Sequence, residues 1–221
     1  MKITGRKTEK RPEKRRGKSP GIWFMRGGVL MIAAALLLTL FNLWDEYRAD
    51  RAAEQVLEQM TVLPENADTS EEQEIPDYLL NPDMEMPALE IDDHDYIGIL
   101  DIPVLELTLP VMSEWSYPNL KIAPCRYAGT AYKNNLVIAA HNYSTHFGQI
   151  RDLAAGDRVT FTDADGNVFS YTVAEVQTLE PTAVEEMTDG GWALTLFTCT
   201  FGGRSRVTVR CDLDENAIRS Y

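Results

Sequence analysis

Residues 27–44 read GGVLMIAAALLLTLFNLW, without one charged side chain. Such a run restricts the fold severely, because a helix of about 20 mostly apolar residues is what crosses a bilayer. Residues 21–24 lengthen it if Arg26 snorkels to the interface. Trp23 and Trp44 then fall at the two headgroup boundaries, where amphipathic rings are favoured. Charge is divided on either side of the run. The whole chain of 221 residues carries −13, residues 1–26 hold ten basic and two acidic side chains for +8, and −21 is left for the remainder. Two such blocks rarely belong to one folded surface.

The expected order is a basic cytoplasmic tail over 1–21, a transmembrane signal-anchor helix over 22–44, and everything beyond it outside the cell membrane. No small-x-small cleavage site directly follows the apolar run, which continues as Asp45-Glu46-Tyr47-Arg48, so a single-pass anchor is expected rather than a removed signal peptide. A buried core helix would leave the basic leader unexplained. Beside a membrane span the leader reads as an orientation signal and a contact for anionic lipid. The strongly acidic remainder offers no basic stripe, which argues against nucleic acid as a partner.

Residues 45–93 read as a stalk and spacer. Tyr47, Ala52, Ala53, Val56, Leu57 and Met60 recur at helical intervals. Residues 61–93 are rich in Asp, Glu and Pro and read as a flexible, self-repelling spacer. Within it, Tyr78-Leu79-Leu80 could instead pack on the domain as an appendage. The folded domain is expected over 94–221. Strands are predicted at 96–102, 104–112, 136–140, 158–162, 168–173, 194–199 and 205–213, with a short edge strand at 126–128 and a helical turn or two within 147–153. Asp165-Gly166 and Gly202-Gly203 are turn signals. The fold class expected is mainly β: a closed barrel of seven to eight strands with short helices.

Three strand ends carry chemistry. Thr195-Leu196-Phe197-Thr198-Cys199 closes one apolar run with a thiol, and Arg206 opens the next after a tight turn. Leu136-Val137-Ile138-Ala139-Ala140 is closed by His141. A cysteine attacks as thiolate and needs a base or a positive charge nearby. Arg206 lies nearer the turn than Arg210, and Arg204 lies in the turn itself. His94 falls in the acidic spacer and His146 in a polar loop, so His141 is the histidine a barrel would fix best. The three cysteines leave at least one thiol free. If Cys199 is that one, Cys125 and Cys211 could pair. Cys211 also shares strand parity with Val207 and Val209, which favours a small buried hydrophobe.

The set of a TLxTC strand end, a following strand that opens with Arg and an upstream strand that ends in His resembles the sortase family, over roughly residues 96–213. The resemblance implies a membrane-anchored cysteine transpeptidase with a β-barrel catalytic domain and no cofactor or metal. Its partners would be secreted proteins with a C-terminal LPxTG-like sorting signal, and an amine acceptor such as a peptidoglycan precursor or a pilin lysine. Cys199 would form the thioacyl intermediate, His141 would move the protons and Arg206 would steady the oxyanion. Thr198, Asn142 and His146 are expected to touch the peptide, with His146 at the rim, while Thr198 could equally be a strand residue with a satisfied hydroxyl.

The stretch His141-Asn142-Tyr143 with Phe147-Gly148 and Leu153 looks like class B and related clostridial sortases. The connection from Leu179 to Thr195 is shorter than class B usually carries. Pilus-building class C enzymes usually have an Asp-Pro-aromatic lid and a second membrane helix. Here the nearest segment is Asn81-Pro82-Asp83 and no apolar span precedes Tyr221, so wall attachment is expected over pilus polymerisation. The acidic group Glu175, Glu180, Glu185 and Glu186 reads as solvated surface rather than a calcium cage. An L,D-transpeptidase-like enzyme would place His and Cys close in sequence, whereas positions 141 and 199 are 58 apart. A non-catalytic tethered binding module would tolerate loss of any of the three residues, yet all are present.

Overall fold

The computed structural model describes residues 20–62, 75–188, 191–200 and 202–214. The chain divides into two compact units, residues 1–43 and 44–221. Helix α1 (Pro20–Val62) contributes residues to both units and carries a stretch long and apolar enough to cross a membrane, with mean hydropathy 2.0 over 18 residues and none of that stretch buried. The basic tail expected over 1–21 lies almost wholly outside the described residues.

The second unit is built on nine strands: β1 (Leu89–Ile91), β2 (His94–Ile102), β3 (Leu107–Met112), β4 (Cys125–Ala128), β5 (Leu136–Ala140), β6 (Arg158–Asp163), β7 (Val168–Leu179), β8 (Leu194–Cys199) and β9 (Arg206–Leu213). They run in the order β1-β2-β3-β4-β5-β8-β9-β7-β6, and β6 pairs back onto β2. Eight strands therefore close a barrel, and β1 hangs on the start of β2. Closure requires β2 to meet two neighbours where its register shifts between Tyr96 and Gly98. Gly98 has φ 156°, and a Cβ there would stand 2.1 Å from the Thr162 carbonyl oxygen, so only glycine lets β6 come this close.

Pro103 ends β2, as its missing N–H requires, and residues 103–105 form a 3-10 turn before β3. A 3-10 turn also occupies Ile150–Asp152, inside the expected helical segment. Helix α3 (Tyr117–Leu120) links β3 to β4, and β4 is not an edge strand: it lies between β3 and β5, joined to β3 by a single parallel pair, Met112 with Cys125. Its short length hid that position in the sequence. β5 is buried at all five residues, in keeping with its unbroken apolar run.

Two apolar clusters form. Inside the barrel are Leu100, Val111, Ile138, Phe161, Leu196, Val209 and Cys211, among others. On the outer face, Val137 and Ala139 of β5 join Phe197 of β8, Cys125, Tyr96, Met112 and Val56 of α1. Cys125 and Cys211 are both free, both fully buried, and lie in opposite clusters. Burial pushes each thiol up to about 12.

Residues 63–74 of the acidic spacer lie outside the described residues. From residue 75 on, the segment packs on the barrel. Helix α2 (Asp77–Leu80) places Tyr78 flat on Tyr132, with ring centroids 4.7 Å apart. Asp83 pairs with Lys133 at 2.6 Å and Glu85 with Arg126 at 3.9 Å. The acidic stretch is thus partly an ordered appendage, the alternative that Tyr78-Leu79-Leu80 suggested.

Candidate active site

Strand pairing brings three expected residues to one end of the barrel. β5 and β8 are parallel, with Ala140 beside Thr198, so the next residues, His141 just past β5 and Cys199 at the end of β8, come at the same end of the two strands. β8 and β9 are antiparallel, with Cys199 directly across from Arg206. Cross-strand partners share a face. Cys199 and Arg206 therefore point the same way as the pairs Phe197–Thr208 and Thr195–Arg210, which is the outer face. All three residues are half-buried, open enough for a ligand to reach.

Each is held by its surroundings. Arg206 donates through Nη1 to the carbonyls of Gly203 (3.2 Å) and Ser205 (3.1 Å). Gly202 and Gly203, both with positive φ, make the turn that returns the chain to β9. The backbone N–H of Ser205 donates to the Thr200 hydroxyl, which itself bonds the Ser205 carbonyl, and so the mouth of this hairpin is tied. The loop after β5 curls on itself. Phe147 N–H donates to the His141 carbonyl, and His146 and Gly148 N–H both donate to the Tyr143 carbonyl, at 2.8–3.1 Å. A Cβ on Gly148 would meet that Tyr143 oxygen at 2.6 Å. His141 packs on Tyr143 (centroids 4.9 Å, 33° between planes), and Tyr143 on His146 (5.4 Å).

Burial lowers the pKa of His141, with Lys121 adding to the effect and the Asp45 carboxylate opposing it. A neutral imidazole is accordingly its main form at neutral pH. Burial, then His141, takes His146 down to about 4, against Glu46. Tyr143 is pushed up to about 12, by burial first and then by its bond to Asp45.

The three residues expected around the peptide differ in placement. Asn142 is exposed beside His141. Thr198 is only 3% exposed, and its hydroxyl donates to the Ala140 carbonyl at 2.8 Å, which fastens β8 to β5. His146 does not stand at a rim. It is fully buried under its loop, because Phe147 and Ile150, which follow it, draw the segment into the barrel core.

Several neighbours escaped the sequence. Arg210 is 2% exposed and grips the end of helix α4 (Val184–Thr188), donating to the carbonyls of Glu186 and Met187 and to the Thr195 hydroxyl. It lies on the same strand face as Arg206, and α4 covers it. Met187 packs with Ala139 and Phe197 in the outer cluster. Tyr127 stands edge-on to Phe197 (5.1 Å), and the partly exposed Trp115 edge-on to Tyr127 (5.7 Å). This apolar and aromatic strip ends two residues from Cys199. From α1, Asp45 and Glu46 reach the loop after β5 across 98 residues of sequence.

A cavity of about 300 Å³ lies between Tyr78, Tyr132 and Phe169, reaching Leu213 at the far end of β9 from Arg206. Among the described residues, no three or more His, Cys, Asp or Glu side chains are grouped to hold a metal ion.

The chain is similar to several known proteins. Sortase A of Bacillus anthracis is 31% identical over 125 residues, 53% of this chain, and the match spans 59% of that relative's length. A Clostridium perfringens sortase D5 transpeptidase has the same fold, with TM-score 0.52 and 20% identity, over 76% of this chain and 99% of that one. Sortase C of Streptococcus pneumoniae aligns at TM-score 0.48 and 24% identity, over 54% of this chain and 68% of that one. The sequence matches the sortase domain family over residues 100–214, more than half of its length, and the chain belongs to the sortase family.

Proposed function

We propose that this chain is a membrane-anchored cysteine transpeptidase that cuts an LPxTG-like sorting signal and joins the protein to an amine of the cell wall. The observation that carries the reading is the register that sets Cys199 against Arg206 and, one strand over, lets His141 leave beside Cys199. The Cys199 sulfur, as thiolate, attacks the carbonyl carbon of the signal's Thr, and a C–S bond forms. Arg206 donates to the oxyanion. Among the described residues its bonds use Nη1, which leaves Nε and Nη2 to turn toward substrate. The C–N bond breaks as His141 protonates the leaving amine. The acceptor amine then attacks the thioester, His141 removes its proton, and Cys199 leaves as thiolate. With water in place of the amine the same steps are hydrolysis.

The strip of Trp115, Tyr127, Phe197 and Met187 supplies the apolar side of a peptide site, and Asn142 a polar edge beside His141. The apolar stretch of α1 supplies the anchor, with the basic leader in the cytoplasm and the catalytic domain outside. The test is turnover by the full chain in detergent micelles of an LPETG peptide, with triglycine and with a lysine side-chain amine as acceptors. Products carrying triglycine support wall attachment. Preference for the lysine amine means pilin polymerisation. A product that survives Cys199→Ala contradicts the mechanism.

A further inference from the structure

Tyr143 sits between a ring that the proposed reaction uses and a helix it does not. On one side its ring lies 4.9 Å from that of His141. On the other its hydroxyl donates to Oδ2 of Asp45 at 2.7 Å. The contact is not isolated. The backbone N–H of Ser144 donates to Oε1 of Glu46 at 2.6 Å, and the Ser144 hydroxyl bonds the same oxygen. One and two turns further along α1, Ala49 and Ala53 are buried at 1% and 4%, so the helix face that carries Asp45 is packed down over the residues that follow it. Small residues at these positions let the helix backbone come close.

We infer that Asp45, the first carboxylate after the apolar run, is a positioning residue for the reaction, holding Tyr143 and through it the ring of His141, and lending that ring a negative charge. This rests on the reading of His141 as the proton carrier. The charged and titratable groups around His141 are Asp45, Glu46 and Arg48 from α1, Lys121 after the helix Tyr117–Leu120, Tyr143 and His146 in its own loop, and Cys199 and Arg206 on the strands beside it. Asp45 is the carboxylate whose field acts directly on His141, favouring its protonated form against burial and Lys121. A histidine that must protonate an amine needs that protonated fraction.

The test uses the full chain in detergent micelles. The His141 ring signal is titrated by NMR in the Cys199→Ala background, with and without Asp45→Asn. The pH profile of kcat/KM is measured with an LPETG peptide and hydroxylamine. Asn keeps an oxygen for the Tyr143 hydroxyl but removes the charge. It is expected to lower the His141 midpoint by about half to one pH unit, which is about three- to ten-fold in protonated fraction. The expected kcat/KM at neutral pH falls by the same factor, with KM changed less than about twofold. Tyr143→Phe keeps the ring and loses the bond, and should give part of the same shift. Asp45→Glu should restore most of the rate. An unchanged His141 midpoint in Asp45→Asn overturns the inference, as does a rate loss without movement of the profile. Should Asp45→Asn fail to fold, an unmoved midpoint in Tyr143→Phe overturns it equally. Wild-type rate in His141→Ala would instead defeat the reading of His141 itself.

Discussion

At the scale of single residues, His146 shows how burial decides chemistry. Its ring has no exposure and faces His141, Tyr143 and Glu46, and its pKa falls from the ordinary 6.5 to about 4. The folded chain therefore binds fewer protons at this site than the unfolded chain between those values, and stability rises with pH across that window. Acidification from about 6.5 to about 4 should cost roughly 3 kcal/mol through this residue. His146→Phe should flatten that part of a Tm-against-pH curve; an equally steep curve would show that another group is responsible. Thr198 makes a smaller case. Thr198→Val removes the bond to the Ala140 carbonyl and should lower stability by about 1 kcal/mol, with KM for peptide near wild type, since the side chain is turned into the sheet. A large rise in KM at unchanged stability would return Thr198 to the substrate. That Cys199, His141 and Arg206 come to one end of the barrel could be read because each ends or opens an apolar run, and a run's end is where a barrel exposes a side chain. The burial of His146 could not, because a polar loop five residues past a strand gives no sign that Phe147 and Ile150 will draw it inward.

At the scale of elements, the site is a property of three adjacent strands and two connections. The parallel step from β5 to β8 joins segments about 60 residues apart, and the tight return to β9 faces Arg206 to Cys199. Individual strands could be read from alternation, but their order could not, which is why β4 looked like an edge. The β5 connection depends on Gly148. Gly148→Ala would set a methyl group 2.6 Å from the Tyr143 oxygen, and the loop would have to open. We expect at least a ten-fold loss of kcat/KM with the far-UV circular dichroism spectrum retained; full activity would show that the curl of 141–148 does not govern His141. The β8 connection depends on Arg210, whose alternation with Arg206 gave no hint of a cover. Arg210→Met leaves the Glu186 and Met187 carbonyls without their donor, and should destabilise the domain by about 2–4 kcal/mol in urea unfolding. A change under about 0.5 kcal/mol would mean that α4 is held by Met187 alone.

At the scale of the molecule, an uncharged run separates a basic leader from an acidic remainder. The division at residue 43/44 falls where the uncharged run ends. The barrel and its approximate strand count were legible, from seven apolar or alternating segments with turn residues between them. The packing of the acidic segment was legible only in part. Tyr78 offered an aromatic ring, but the ion pairs of Asp83 and Glu85 join it to side chains some 40–50 residues away. The bond of Asp45 to Tyr143 left no local trace at all. What unites these parts is the claim that Cys199 carries an acyl group from one amine to another. Intact mass spectrometry of the full chain with an LPETG peptide, before and after addition of an amine, tests it most directly. An adduct of the peptide up to its Thr, absent in Cys199→Ala and discharged by the amine, is the result the account predicts. A folded chain that turns the peptide over with the same adduct in Cys199→Ala, or with none at any time, would contradict it.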